Sequence, residues 1–402
     1  MEHVLRCSGY DLITSSMVRA VGCTFYDESD RAYIDFESGV WCAGLGHGHP
    51  DVSEAIRRQM DAITHIGYRY SSGTVERGAA AVLSTLGPRY DDGKCVFLSS
   101  GSEAVEFAVQ AARKVVDKPL FLALDDAYLS AYGSSGRRDP REWTRVDWTP
   151  CAQCADDDPC DPDCSVLRRI PFGRIAAFAF EPGNSGGLVR LPPHKLIQAL
   201  SSRVTEQGGL IVIDEVTTGF GRTGAWYGHE HYGLHPDVVA MGKGLGNGYP
   251  VSAVAMTGDA AQRLTASGFH YAQSHQNDPL ACTVAATVID AIRRQGLVQR
   301  SREIGAAFLS SLRDLATKHT AVCDVRGRGL MIAIELRQDV GPLSAAAVCR
   351  QLFERGFLVG CKPQNRLLRF YPPLIIEARD LSRLIDALDA ILTSGAANPS
   401  GS

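Results

Sequence analysis

The chain lacks an excess of positive charge, a long apolar run and an internal repeat. Its 41 Lys and Arg against 45 Asp and Glu leave a net charge of −4 and a pI near 6.3. That balance offers no basic footprint for nucleic acid. No stretch approaches the roughly 18 apolar residues that span a bilayer. The residues from Met1 to Cys7 carry no apolar segment of the signal-peptide kind. These absences predict a cytoplasmic protein with neither a nucleic-acid nor a membrane partner. Cysteine is not scarce, at twelve residues. In a chain without a signal, most are expected to be reduced thiols in or near cores. At 402 residues, 45% hydrophobic and 21% charged, the composition fits two or three globular domains.

Around Asp30-Arg31 the residues alternate apolar and polar, which predicts a hairpin of Cys23 to Tyr26 with Ala32 to Phe36. From about Pro50 to Pro279 the pattern is strand then helix, repeated. Strands are expected at Cys95 to Leu98, Leu120 to Leu124, Ala176 to Phe180, Leu210 to Ile213, Val238 to Met241 and Ser252 to Met256. Helical periodicity fits Ser102 to Val115, His194 to Glu206 and Ala260 to Ala266. This alternation predicts an α/β fold with a mostly parallel sheet. After Leu280 two long amphipathic helices, Leu280 to Gln295 and Val298 to His319, precede strands at Leu330 to Leu336 and Leu367 to Tyr371. A helix over Asp380 to Leu392 follows. That part reads as a smaller α+β domain. The small, polar tail 394–402 is expected to be disordered.

Four segments carry chemistry. Lys243 stands where an apolar strand ends, inside the glycine-rich run Gly242-Lys243-Gly244-Leu245-Gly246. Desolvation disfavours an ammonium, and a neutral amine forms Schiff bases with aldehydes; the plain alternative is a surface lysine. Ser99-Ser100-Gly101-Ser102-Glu103, between a strand and a helix, has the layout of a phosphate cradle, or of an ordinary capped helix. Asp214 ends the strand of Ile211 to Ile213, so its carboxylate is partly buried. It needs a cation, either a protonated cofactor ring nitrogen or an arginine such as Arg222. Arg369, between apolar neighbours, has the geometry to grip a carboxylate bidentately or to snorkel from an edge strand.

In this order, these segments resemble the class III (ω-amino acid) aminotransferases, which are pyridoxal phosphate enzymes of fold type I. Matching stretches are Gly39 to Pro50, Ser100 to Glu106, Glu181-Pro182, Asp214 to Gly224, Pro236-Asp237, Gly242 to Gly248 and Arg369 to Leu374. The resemblance implies a seven-stranded, mostly parallel sheet in a large domain over 50–279. A small domain of 280–393, joined by the segment 1–49, would complete the fold. It implies that Lys243 forms the internal aldimine and moves the proton, while Asp214 keeps the pyridine nitrogen protonated. Ser100, Gly101 and Ser102 would bind the phosphate. Val216 would lie under the ring and Tyr128 on its other face, with Glu181 and Thr217 in the same cofactor-binding set. The family's homodimer shares its active sites, and Ser274 stands where a neighbouring subunit's hydroxyl reaches the phosphate. Trp41, Tyr68 and Tyr70 fall where the substrate pocket is lined.

Departures from the family pattern are Thr217 in place of a glutamine, Tyr128-Leu129-Ser130 in place of aromatic-His-Gly, and no acidic residue in Glu181 to Gly187 after the Glu-Pro pair. Arg369 would therefore stay open to every carboxylate, unless another group quenches it.

Cys151, Cys154, Cys160 and Cys164 form C-x2-C-x5-C-x3-C among Asp156, Asp157, Asp158, Asp161 and Asp163. This stretch, within 148–166, reads as an insertion. Four thiols in a short loop suit structural zinc; an iron–sulfur cluster, disulfides or free thiols are the alternatives. The expected reaction moves an amino group from an amine or amino acid to a 2-oxo acid through the pyridoxamine form. A racemase or epimerase, an aminomutase or a decarboxylase on the same scaffold, or a non-catalytic scaffold, are the competing readings.

Overall fold

A computed structural model describes the chain except for residues 1–2, 6, 10–11, 155–159, 162, 184–185, 339–342 and 397–402. Strands β1 (Met17–Val21), β2 (Thr24–Asp27) and β3 (Ala32–Asp35) form an antiparallel meander. The predicted hairpin is its second half, with Phe25 opposite Tyr33.

The central sheet has seven strands: β4 (Lys94–Leu98), β5 (Leu120–Leu124), β6 (Trp143–Val146), β7 (Ile175–Phe180), β8 (Leu210–Asp214), β9 (Val238–Met241) and β10 (Ser252–Met256). Their order is β4-β10-β9-β8-β7-β5-β6, and β10 alone runs against the rest. The expected α/β architecture with a mostly parallel seven-stranded sheet is therefore present. Strands β5, β7, β8 and β9 are buried along their whole length. This is why they read as unbroken apolar runs rather than alternating ones. Each Val, Leu or Ile placed there contributes about 1.5–3 kcal/mol by leaving water. Strand β6, Trp-Thr-Arg-Val on the sheet edge, carries too short and mixed a pattern to be read from sequence.

Further on, β11 (Val322–Arg328), β12 (Met331–Leu336), β14 (Gly360–Lys362) and β15 (Leu367–Phe370) make an antiparallel sheet, while β13 (Phe357–Leu358) pairs in parallel with β3. The N-terminal meander is thus stitched to the C-terminal region. Helices cover Gly101–Val115, His194–Glu206, Gly258–Ala266, Pro279–Arg294 and Leu297–Lys318, within two residues of the bounds expected from periodicity. The last helix runs Ala378–Ala396, so the start of the tail expected to be disordered is helical; 397–402 lie outside the described residues. No helix among the described residues is long and apolar enough to cross a membrane.

Candidate active site

Register places the site. Leu98 at the end of β4 pairs with Ser252 at the start of β10, and Ala253 pairs with Met241 at the end of β9. Asp214 ends β8 beside Ala240. The carboxyl ends of β4, β8 and β9 therefore open on one side of the sheet, where open α/β sheets bind ligands.

The loops leaving those strands touch. A Cβ on Gly101 would meet Val216 Cγ1 at 2.5 Å, and one on Gly242 would meet Gly101 Cα at 3.3 Å. Glycine is required at 101 because the β8 loop presses directly on this backbone. Ser100 is the N-cap of Gly101–Val115, its hydroxyl accepting from the Glu103 N–H at 3.2 Å. The Glu103 carboxylate accepts from the Ser99 N–H at 3.0 Å and from the Tyr271 hydroxyl at 2.7 Å. The cap and the cradle are thus one feature: a capped helix start with glycine at its first turn. Ser102 Oγ accepts from the Ala131 N–H at 3.0 Å, which ties the β5 loop to the cradle.

Lys243 takes a positive φ of 42° immediately after β9, and its Nζ donates to Thr217 Oγ1 at 2.9 Å. Thr217, the departure from the family glutamine, faces the lysine directly. Glu181, 3% exposed, follows the end of β7 and accepts from the Tyr128 N–H at 3.0 Å. Tyr128 itself is 47% exposed.

Two adjacent carboxylates separate into different roles. Glu215 is saturated: it accepts from Thr218 Oγ1 at 2.5 Å and from Gly228 N–H, His229 N–H and His229 Nδ1 at 2.8 Å each. It fastens the loop after β8 onto 228–229. Asp214 accepts from the Val216 N–H at 3.0 Å and enters no ion pair among the described residues. Burial, then the nearby Glu181 charge, raises its carboxyl well above the usual 3.8, with Lys243 pulling the other way. The Arg222 alternative fails. That guanidinium, 3% exposed, donates to the carbonyls of Leu330 at 3.1 Å and Pro372 at 2.5 Å.

Arg369 is 8% exposed, and its Nε is buried without a hydrogen-bond partner. Among the described residues it makes no ion pair. Gly187, at φ 87°, leaves room for it; a Cβ there would collide with Nη1. Lys362, which no motif in the sequence marks, lies on β14 next to the strand of Arg369. Burial and the Arg369 charge lower its pKa. A strand lysine two residues after a buried glycine gives no local signal of this pairing.

Trp41 is buried and stacks on Tyr371, centroids 3.7 Å apart at 11°. The segment Ser38 to Trp41 is a left-handed turn, with φ of 48°, 55°, 60° and 73°. Such backbone costs about 1–2 kcal/mol for each non-glycine residue. It is held by Asp35, which accepts from the Glu37 and Ser38 N–H groups, and by Ser38 Oγ donating to the Tyr371 carbonyl at 2.6 Å. Trp41 with Thr217, Phe220, Arg222 and Leu374 lines a narrow cavity beside Lys243. Tyr68 and Tyr70 are 61% and 75% exposed, so within this chain they enclose no pocket. Ser274 is likewise exposed and shares no hydrogen bond with Ser100 to Ser102 among the described residues.

The four thiols do not gather into a ligand set. Cys151 is buried, Cys154 exposed, Cys160 and Cys164 intermediate. Burial first, then the other three cysteines, push Cys151 up to about 11. Among the described residues, the group with three ligand atoms in reach of one ion lies elsewhere. Asp156, Asp157 and Asp158 are outside the described residues.

The sequence pattern of the family described as aminotransferase class-III matches residues 7–129 and 157–392. The chain belongs to the class III aminotransferases. It is 31% identical over 379 residues to an acetylornithine aminotransferase of Methanosarcina mazei, covering 92% of this chain and 89% of that one. To the Aquifex aeolicus acetylornithine aminotransferase it is 31% identical over 396 residues, covering 96% and 99%. The crystal structure of an Elizabethkingia anophelis acetylornithine aminotransferase superposes with a TM-score of 0.83 at 25% identity, over 98% and 97% of the two chains. The family match breaks over 130–156. That gap takes in Cys151 and Cys154 and leaves Cys160 and Cys164 inside the match. A class III aminotransferase works with pyridoxal phosphate, and the residues here fit that group. Asp214 is a desolvated carboxyl that makes no ion pair among the described residues, and the cradle at Gly101 leaves backbone free for an anion.

Proposed function

We propose that this aminotransferase takes an amino acid donor whose carboxylate rests on Arg369, with Lys243 as the reacting amine and Asp214 as the partner of the cofactor ring. The carrying observation is the contrast between Glu215, with four donors, and Asp214, with one backbone donor in a desolvated site. Pyridoxal phosphate supplies the aldehyde and an electron-accepting ring. Asp214 holds a proton on the ring nitrogen. Lys243 Nζ carries the proton that moves at the substrate carbon. Ser100, Gly101 and Ser102 hold the phosphate at a helix start. Val216 and Tyr128 would hold the ring by packing, and Trp41 would border the substrate side.

An acetylornithine-type donor and a 2-oxo acid acceptor suit this site. What supports the reading is the names of the curated relatives together with Arg369, whose Nε is buried without a hydrogen-bond partner beside Lys362, and whose charge the buried Glu37 carboxylate feels without forming an ion pair among the described residues. Arg369→Lys, which keeps the charge and loses the planar fork, should raise KM for carboxylate donors about 10–100-fold while leaving kcat within a fewfold. An unchanged KM would remove Arg369 from the substrate site.

We read the enzyme as a cytoplasmic homodimer in which Ser274 serves the phosphate site of a second copy. Its exposure, and that of Tyr68 and Tyr70, supports this. The pairing of β13 with β3 supports grouping 1–49 with 280–393 as the small domain, apart from the large domain 50–279.

The cysteine-rich stretch 148–166 is read as a zinc loop on Cys151, Cys154, Cys160 and Cys164. Four cysteines within residues 151–164 support it, and binding would draw together thiols that stand apart in the metal-free chain. Blocking thiols with an organomercurial should release about one zinc per chain; release of none would remove the zinc.

A further inference from the structure

Asp278 occupies the N-cap position of the helix Pro279–Arg294, yet its side chain makes no cap hydrogen bond. An aspartate at that position ordinarily accepts from the backbone N–H groups of the first turn. Here both oxygens turn away. Oδ1 lies 2.5 Å from His65 Nδ1 and Oδ2 lies 2.6 Å from His275 Nδ1. The two imidazoles face each other at 4.8 Å, tilted by 50°. The carboxylate side chain is 10% exposed, the imidazoles 43% and 63%. One ligand atom from each of the three residues falls within 4.8 Å of the others.

We propose that His65, His275 and Asp278 form a site for a divalent transition metal of the zinc class. Two imidazole nitrogens and one carboxylate oxygen are a borderline donor set, which suits zinc better than the hard cations. Ligands at about 2.0–2.2 Å from a tetrahedral ion sit roughly 3.3 Å from one another, so small side-chain rotations close the set. Three protein ligands leave the fourth position to water.

The turn that carries the site is fixed independently of any ion. Asn277 takes a φ of 58°; its Oδ1 accepts from the Phe97 N–H at 2.8 Å, and its own N–H donates to the Phe97 carbonyl at 3.0 Å. On the same turn, Gln273 Nε2 and Gln276 Oε1 are buried without partners. An ion here ties the 63–72 segment, with Tyr68 and Tyr70, to the turn that carries Ser274. Binding requires each ring to present its Nδ1 lone pair, with the proton on Nε2. The two histidine–aspartate hydrogen bonds are exchanged for bonds to the ion, and nothing is oxidised or reduced. The site owes nothing to the cysteine loop or to the transamination chemistry.

The test is calorimetric titration of the holoenzyme with zinc chloride in a Cys154→Ser, Cys160→Ser background, which removes two thiols from the other loop. One event per chain is expected. It should weaken about a hundredfold or more in His65→Gln and in His275→Gln, with far-UV circular dichroism and Tm of the metal-free variants unchanged. A second measurement uses the unsubstituted holoenzyme. Zinc should protect both His65 and His275 from diethylpyrocarbonate, as mapped by mass spectrometry. No binding event, an event untouched by both histidine substitutions, or unprotected histidines at saturating zinc would overturn the site.

Discussion

Lys243→Ala should lower transamination by about 10⁴-fold or more, because one side chain supplies both the amine that reacts with the cofactor aldehyde and the proton carrier. Protein purified with this substitution should still fold. Among the described residues the Lys243 side chain makes one hydrogen bond, to Thr217, and the surrounding β9 core does not depend on it. Borohydride treatment of the unsubstituted holoenzyme should fix the cofactor covalently, with the label on Lys243 by peptide mapping. A label on another residue, or a variant that keeps more than a few per cent of the activity, would show the amine to be elsewhere.

Asp214→Asn is the second large effect. The substitution keeps shape and the Val216 contact but offers the ring nitrogen no negative charge. Loss of one preorganised electrostatic partner predicts a fall in kcat of about 10²–10³-fold, with KM for donors little changed. The same residue makes a stability prediction. In the cofactor-free protein the Asp214 carboxyl is raised, chiefly by burial, above its ordinary 3.8. The folded state then binds a proton that the unfolded chain has released. Its contribution to stability is complete below 3.8 and is lost as pH rises through the folded-state value. Thermal melts of the cofactor-free protein should therefore fall with rising pH across that window. In Asp214→Asn this component should be absent, and in the holoenzyme it should be offset by the cation on the ring. Identical pH slopes in the cofactor-free protein and the variant would contradict the assignment.

Much of the fold and half of the site are legible in the order of residues alone. Strand β8 can be read because Leu210 to Ile213 is a continuous apolar run ending in a carboxylate, and a strand buried on both faces needs that pattern. Lys243 can be read for the same reason at the end of β9. Other features leave no local trace. Glu215 and Asp214 are neighbours of the same type, and only the return of residues 228–229 saturates one and isolates the other. The left-handed turn at Ser38 to Trp41 gives glycine at one of its four positions. It is forced by Asp35 and by Tyr371, more than 300 residues away. Lys362 looks like any strand lysine until β14 pairs with β15. His65 and His275 stand 210 positions apart, and nothing local relates them; Asp278 brings them together.

Local pattern in the chain encodes the periodicities, hence the α/β order of elements, and the motif-bearing loops, hence the family and its chemistry. Both are written over a few residues, because burial on two faces and backbone turns act locally. Packing in three dimensions settles the rest: which carboxylate stays desolvated without an ion pair, which strand cations come to stand together, and where two distant histidines meet. Desolvation and charge pairing depend on neighbours in space, and those neighbours come from chain segments that the local pattern does not relate.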